Sequence, residues 1–137
     1  MSQTNVDTVL QLVEALSNGD YDRAAEHLDA DSEWHNTAVF PGPRIVVGAK
    51  AIRDFWEDLF EAYAAGAAGV GMEVEKVAES GDTVVVLVHG WGHGSKSGIP
   101  FDTRWAHAIQ VRESRVVRTE TYGRYEKALA AKGLSDR

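Results

Sequence analysis

The sequence predicts an α+β fold, in which a cone-shaped, curved antiparallel sheet is covered by N-terminal helices. Two apolar helical stripes precede the first predicted strand, and a third helix follows it. Four segments with two-residue alternation then come in succession between residues 72 and 122. Short links between consecutive strands favour antiparallel pairing, and helices gathered early in the chain favour one covered face. With 137 residues and no linker, we expect one domain over residues 1–137.

Composition excludes several classes of partner. The formal net charge is −7 and there is no cysteine. An acidic chain is poorly suited to nucleic-acid backbones or anionic membranes, and disulfide or thiolate chemistry is excluded. The start of the chain lacks the basic and apolar stretches of a secretion signal, and no apolar run has the length of a membrane span. We therefore expect a cytoplasmic protein that binds neither nucleic acid nor membranes.

The first elements are predicted from spacing and from stop signals. An apolar stripe predicts a helix over residues 5–17, made by Val6, Val9, Leu10, Val13 and Leu16. Gly19 can end this helix, and Asp20 can cap a shorter second one. Alternation over residues 32–37 predicts a strand with Trp34 and Asn36 on one face. Residues 38–44 hold two of the three prolines and predict an irregular loop at the pocket mouth.

The third helix has the clearest pattern of all. It opens at Gly48, and its inner positions are Ile52, Phe55, Trp56, Leu59, Phe60 and Tyr63. Alternation then predicts strands over residues 72–78, 84–93, 101–112 and 115–122, before a short helix over residues 125–132.

The pairing of the last three strands decides which side chains meet. The turn-rich residues 94–98 predict a hairpin, which we expect to place Trp91 beside Trp105 and His89 beside His107. The short link at residues 112–115 returns the next strand beside His107 and leaves either Glu120 or Thr121 facing it. A one-residue shift reverses every face, so both pairings stay open.

The order of elements and several motifs resemble the SnoaL-like branch of the nuclear transport factor 2-like superfamily, over about residues 5–134. The motifs are residues 16–20 (LSNGD), 48–56 (GAKAIRDFW), 105–107 (WAH) and 128–134 (ALAAKGL). The resemblance implies a curved sheet with a helical lid, commonly dimeric through the outer face of the sheet. Relatives include ketosteroid isomerase, polyketide cyclases, limonene epoxide hydrolase and scaffolds without catalysis.

The resemblance implies a small-molecule enzyme without a cofactor. It would move protons during isomerisation, cyclisation or dehydration of an apolar carbonyl or polycyclic substrate. His107 matches a pocket histidine of the cyclases, and Asn36 lies near the base position of ketosteroid isomerase. We expect His107 to transfer the proton, Asn36 to donate to a substrate oxygen, and His35 to orient a water or substrate oxygen. The expected substrate contacts are Trp34, Phe55, Trp56, Tyr63, Trp91, Trp105 and Thr121.

Alternatives to this hypothesis stay open. Thr121 replaces the cyclases' acidic residue and Asn36 is neutral, which favours a non-catalytic ligand-binding or dimeric scaffold domain. His107 could also be a structural histidine bonded to Glu120 or to a backbone carbonyl. Because Trp34-His35-Asn36 resembles the aromatic-x-Asn of epoxide hydrolases, an epoxide hydrolase-like activity is a further alternative.

We expect no metal, because His89, His93 and His107 lack the usual spacing of a zinc site. Apolar residues on both strand faces require two covers, so we expect a homodimer through the outer face of the sheet.

Overall fold

The computed structural model describes residues 2–36, 44–61, 63–64, 71–94 and 96–134. The predicted proline loop lies outside these ranges except for Arg44, and so does Thr37 at the end of the first predicted strand. No helix within the ranges combines the length and the apolarity that a membrane crossing requires.

The helices begin and end close to the predicted positions. They are α1 (Ser2–Ser17), α2 (Tyr21–Ala25), α3 (Ala49–Glu61) and α4 (Tyr125–Ala131). Gly19 has a φ of 71° and follows the end of α1, and the Asp20 carboxylate accepts a hydrogen bond from the Arg23 backbone nitrogen at 3.1 Å. The prediction that Tyr63 belongs to the third helix is wrong. Helix α3 ends at Glu61, and Tyr63 lies in a two-residue strand.

Within the described residues, seven strands form one mixed sheet. They are β1 (Leu28–Asn36), β2 (Ile45–Val47), β3 (Tyr63–Ala64), β4 (Gly71–Ser80), β5 (Thr83–Gly94), β6 (Pro100–Arg112) and β7 (Arg115–Tyr122). The order is β2-β1-β7-β6-β5-β3, and β4 also pairs with β5. The predicted curved sheet and helical cover are confirmed. Neighbours are antiparallel except β1 and β7, which run parallel. The sequence missed β2 and β3 because three or two residues are too few to show alternation.

The predicted pairing of Trp91 with Trp105 and of His89 with His107 is wrong. Trp105 pairs with Val88 and His107 with Val86, whereas His89 and Trp91 pair with Arg104 and Asp102. The shift is an odd number of residues, so His89 and Trp91 lie on the face opposite to His107. The alternation of apolar and polar residues could not reveal this shift in register between β5 and β6. Both faces of β5 are apolar, because Val84, Val85, Val86 and Val88 are all buried.

Each face of the sheet has a helical cover. Helices α1, α2 and α3 cover the inner face, where the larger apolar core lies. On the outer face, Ala106 and Ala108 pack under Tyr125, Ala128 and Leu129 of α4. Helix α4 of the same chain therefore supplies part of the second cover that we expected on the outer face of the sheet.

Candidate functional site

Three buried polar side chains form a row across the inner face of β1, β7 and β6. The strand register pairs Asn36 with Thr121, and Thr121 with His107. The Thr121 hydroxyl lies 3.4 Å from Asn36 Oδ1 and also 3.4 Å from the carbonyl oxygen of His35. The choice that the sequence left open is thus settled in favour of Thr121. Glu120 lies on the outer side, where its carboxylate contacts Lys132 at 2.6 Å.

His107 is held by a hydrogen bond along its own strand. The Trp105 indole N–H donates to His107 Nε2 at 2.9 Å. An indole nitrogen can only donate, so His107 Nε2 must be unprotonated and the ring proton must sit on Nδ1. Within the described part of the chain, His107 Nδ1 has no hydrogen-bond partner. The site therefore contains a buried N–H donor that its neighbours leave unused.

Burial keeps His107 neutral. It lowers the pKa of His107 to about 4, because the charged imidazolium loses its hydration. No counterion offsets this effect, since the buried polar residues in the described ranges carry no charge: Thr8, Ser32, Asn36, His107, Thr119 and Thr121. The partner of His107 Nε2 is the Trp105 indole, rather than the Glu120 carboxylate or the backbone carbonyl that the structural alternative proposed. At neutral pH the imidazole is a donor of hydrogen bonds rather than a cation.

The space beside His107 is small. A cavity of about 10 Å³ lies between α1 and the sheet, lined by Leu12, Val13, Leu16, Trp34, Met72, Val88, His107, Ile109 and Thr119. This volume holds about one water molecule. Phe55 and Trp56 instead pack on Trp34, with ring centroids 5.9 and 6.0 Å away, and fill the space beneath α3. A polycyclic ligand could enter only if a covering helix moved away from the sheet.

The remaining predicted site residues do not join this row. The His35 ring lies on the opposite side of β1, with Nε2 2.7 Å from the Glu33 carboxylate. Trp91 is 38% exposed on the outer face, and β3 places Tyr63 opposite Gly94 at the far edge of the sheet. Ser32 was missed, although two-residue alternation with Trp34 already put it on the inner face.

Several charged side chains surround His89 on the outer face of the sheet. The carboxylates of Glu73 and Asp102 accept hydrogen bonds from the His89 ring nitrogens, at 3.2 and 2.9 Å, and thereby raise the pKa of His89. Glu73, Glu75 and His89 come close enough to share an ion. However, both oxygens of Glu75 are bound by Arg104, at 2.7 and 3.1 Å, and both nitrogens of His89 are already engaged. These residues form an ion-pair network that leaves few ligand atoms for a metal.

Known structures share this architecture. One is a Bacillus subtilis protein described as an isomerase, with 21% identity, a TM-score of 0.76 and coverage of 97% of this chain and 95% of that one. A Jannaschia protein described as a SnoaL-like polyketide cyclase has 22% identity, a TM-score of 0.75 and coverage of 88% and 85%. A Catenulispora acidiphila protein with a ketosteroid isomerase-like fold, in complex with trimethylamine, has 19% identity, a TM-score of 0.74 and coverage of 93% and 92%. At such identities these similarities establish the fold alone.

No curated protein matches the sequence. Residues 9–119 do match the SnoaL-like domain family, and they include β1, α3, His107 and most of β7. The match spans most of the chain and agrees with the structural neighbours, so this protein belongs to the SnoaL-like domain family.

Proposed function

We propose that this protein binds an apolar carbonyl compound on the inner face of its sheet, in a conformation in which a covering helix has moved away from the sheet, and activates it for proton transfer. The observation that carries the proposal is the neutral, buried His107, whose Nδ1–H has no partner among the described residues. A carbonyl oxygen is the acceptor that such a donor lacks. The surrounding wall is apolar, which suits a ligand with few other polar groups.

His107 is assigned the role of a donor to the developing oxyanion rather than that of a base. A base with a pKa of about 4 drives proton removal poorly near pH 7. A neutral N–H, by contrast, stabilises the negative charge that collects on a carbonyl oxygen as an enolate forms. The proton from carbon would then pass to water, since the described inner face carries no carboxylate. Isomerisation, cyclisation and dehydration that begin with proton removal next to a carbonyl group pass through such an enolate-like stage.

This role makes His107→Phe a decisive variant. The probes are 1-tetralone and tetralin, which share a skeleton and differ by one carbonyl oxygen. We expect the protein to bind 1-tetralone more tightly and to speed deuterium incorporation next to its carbonyl in D2O. Loss of one oxyanion donor lowers such a rate by about 10²–10³-fold, so His107→Phe should show that loss by NMR. His107→Gln, whose amide can both accept and donate, should retain part of the rate.

His93→Phe is the matched control, because His93 is exposed on the far side of the sheet. It should leave both binding and exchange unchanged. Equal affinity for 1-tetralone and tetralin would contradict the donor role of His107.

Binding without catalysis is the second candidate function. The absence of a buried carboxylate in the described ranges favours it, because proton removal then has no strong base in the protein. Preferential binding of 1-tetralone without deuterium incorporation would establish this candidate and reject the first. The epoxide hydrolase-like alternative has less support, since epoxide opening also needs an acid, and the buried residues that the structure describes include none.

We also propose a homodimer through the outer face of the sheet. Beyond α4, this face presents Trp91 and the partly buried Leu87, beside the ion pairs of His89 and Arg104. Light scattering should give twice the chain mass, and Trp91→Glu should shift the protein to monomer because it places a charge in an apolar contact. Ile45→Glu, at a 55% exposed position on the edge strand β2, should remain dimeric. A monomeric wild type at micromolar concentration would contradict the proposal.

A further inference from the structure

A cavity on the outer face of the sheet is far larger than the one beside His107. Its volume is about 290 Å³, against about 10 Å³ for the inner cavity. It lies where the start of α4 meets strands β4, β5 and β6, and all four elements contribute to its wall. Pockets that hold small molecules have volumes from about 300 Å³ upwards. The outer cavity can therefore hold a small organic molecule without movement of a covering helix.

Basic side chains are concentrated at this outer cavity. Its wall contains three of them, Lys76, Arg104 and Arg124, and one acidic side chain, Glu126. The chain as a whole has the opposite balance, with 14 basic and 21 acidic residues. The three cations come from β4, from β6 and from the link before α4, so only the folded chain brings them together. Such a wall favours an anionic ligand.

The two arginines keep hydrogen-bond donors after their contacts with nearby carboxylates. Glu75 accepts from Nε and Nη2 of Arg104 at 2.7 and 3.1 Å, and this two-point contact fixes the guanidinium plane. Nη1 of Arg104 makes no hydrogen bond within the described residues, and the Asp102 carboxylate lies 3.9 Å from it. The Arg124 side chain uses only Nη2 there, which lies 3.3 Å from the Glu126 carboxylate. The carboxylates therefore offset part of the positive charge but leave N–H groups for a ligand.

Apolar side chains form another part of the wall. Leu87 packs against the outer-face core that contains Tyr125, and Tyr125 is only 7% exposed. Lys76 Nζ lies 5.6 Å from the centroid of the Tyr125 ring, a distance typical of a cation–π contact. This contact keeps an ammonium group next to an apolar surface. A matching ligand therefore combines anionic groups with a small apolar body, which a sulfate or phosphate ion lacks.

We propose that the outer cavity is a second binding site, which takes small organic dianions with two carboxylate groups on an apolar body. Carboxylates suit the arginines because their two oxygens match the planar N–H fork. The site lies on the face of the sheet opposite to His107, so it is independent of the carbonyl-binding function proposed above. Its lining residues all belong to one chain, so it does not depend on the proposed dimer either.

Calorimetric titration of the wild-type chain with phthalate, at low ionic strength, tests the proposal. Phthalate has two carboxylates on one benzene ring, benzoate has one, and dimethyl phthalate is uncharged. One further hydrogen bond to a charged group at a partly exposed site is worth about tenfold in affinity. We therefore expect phthalate to bind about tenfold more tightly than benzoate, and dimethyl phthalate to bind most weakly. Sulfate binding as tight as that of phthalate would indicate an adventitious ion only and would overturn the proposal.

Two variants remove one cation each from the wall of the cavity. Lys76→Gln and Arg124→Gln should each weaken phthalate binding about tenfold. Both side chains are exposed, so both variants should fold. Arg112→Gln is the matched control, because its side chain is 65% exposed, against 71% for Arg124, and it does not line the cavity. It should change the affinity by less than about twofold, since screening weakens distant charges. Equal losses for Arg124→Gln and Arg112→Gln would show an effect of net charge alone and would contradict a defined site.

The ¹H–¹⁵N spectrum locates the bound phthalate. Saturating phthalate should shift the backbone signals of Leu87, Gly123 and Tyr125, which line the outer cavity, and leave that of Ile109, beside the inner cavity, in place. Shifts confined to the inner cavity would overturn the proposal. Trp91→Glu, the expected monomer, should bind phthalate with wild-type affinity. Binding to this variant alone would mean that the partner subunit covers the cavity, and would reject the site in the dimer. None of these failures affects the carbonyl-binding function, which the comparison of 1-tetralone with tetralin tests separately.

Discussion

Acidification from pH 6.5 to pH 4 should cost this protein about 3 kcal/mol of folding stability through His107 alone. Burial lowers its pKa from 6.5 to about 4 in the folded chain, and each pKa unit corresponds to about 1.4 kcal/mol. Below pH 6.5 the unfolded chain takes up a proton at this imidazole, whereas the folded chain does not until about pH 4. Protons therefore favour the unfolded state throughout this interval. Above pH 6.5 both states are neutral at His107, and the contribution disappears.

Urea unfolding at pH 7.0 and pH 4.5 measures this loss. The fall in unfolding free energy should be larger for the wild type than for His107→Gln, whose side chain does not titrate but can still accept from Trp105. Carboxylates such as Glu75 and Asp82 have lowered pKa values and also reduce the unfolding free energy at acid pH, in both proteins. Subtracting the fall measured for His107→Gln from that of the wild type therefore leaves the contribution of His107.

His89→Gln is a control, because it should change the pH dependence of the unfolding free energy in the direction opposite to His107→Gln. Glu73 and Asp102 raise the pKa of His89, so protonation of this residue favours the folded state. That contribution is present below pH 6.5 and is lost as the pH rises through the raised pKa. The His89→Gln variant should therefore lose more stability on acidification than the wild type. Equal falls for the wild type and His107→Gln would show that His107 is hydrated or paired in the folded chain.

Local patterns were sufficient to predict most of the fold. The apolar spacing of Ile52, Trp56 and Leu59 predicted α3, and new elements begin two residues after Gly19 and Gly81, where turns were expected. Each of these signals lies within one turn or one strand, so a single sequence displays it. Trp34 and Asn36 were likewise assigned to one face of β1 because alternation is a local property.

Pairing between strands could not be predicted in the same way. The register of β5 against β6 depends on the geometry of the connection after Gly94, where backbone bonds join Gly94 with Gly98 and Ile99. The parallel contact of β1 with β7 joins segments more than eighty residues apart, such as Asn36 and Thr121. No local pattern reports such contacts, although they decide which polar groups surround His107.

The neutral state of His107 could not be predicted from the sequence either. The solution pKa of imidazole favoured a proton-transferring histidine, but burial with no charged partner among the described buried residues makes the neutral form dominant. One signal was available: Trp105 and His107 are two residues apart and share a strand face, so an indole N–H could reach the ring. That contact fixes the tautomer and changes the expected role from base to donor.

The substitution Gly90→Ala should disturb the hydrogen-bond donor His107 indirectly, through Trp105. A Cβ at Gly90 would lie 2.4 Å from two ring carbons of Trp105, well inside van der Waals contact. Trp105 is only 4% exposed, so its ring has little room to move. Overpacking of this kind costs about 1–3 kcal/mol. Because the same ring donates to His107 Nε2 at 2.9 Å, its displacement should free His107 to exchange tautomers.

Gly71→Ala is the matched substitution, since its Cβ would also lie 2.4 Å from an indole, that of Trp91. Trp91 is partly exposed and lies on the opposite face of the sheet, away from His107. Histidine ¹⁵N spectra at pH 7 should show one protonated and one unprotonated ring nitrogen for His107 in the wild type and in Gly71→Ala. In Gly90→Ala the two shifts should move towards each other, and urea unfolding should show the larger loss of stability. If His107 keeps its wild-type shifts in Gly90→Ala, Trp105 does not set the tautomer, and the donor role assigned to His107 loses its structural basis.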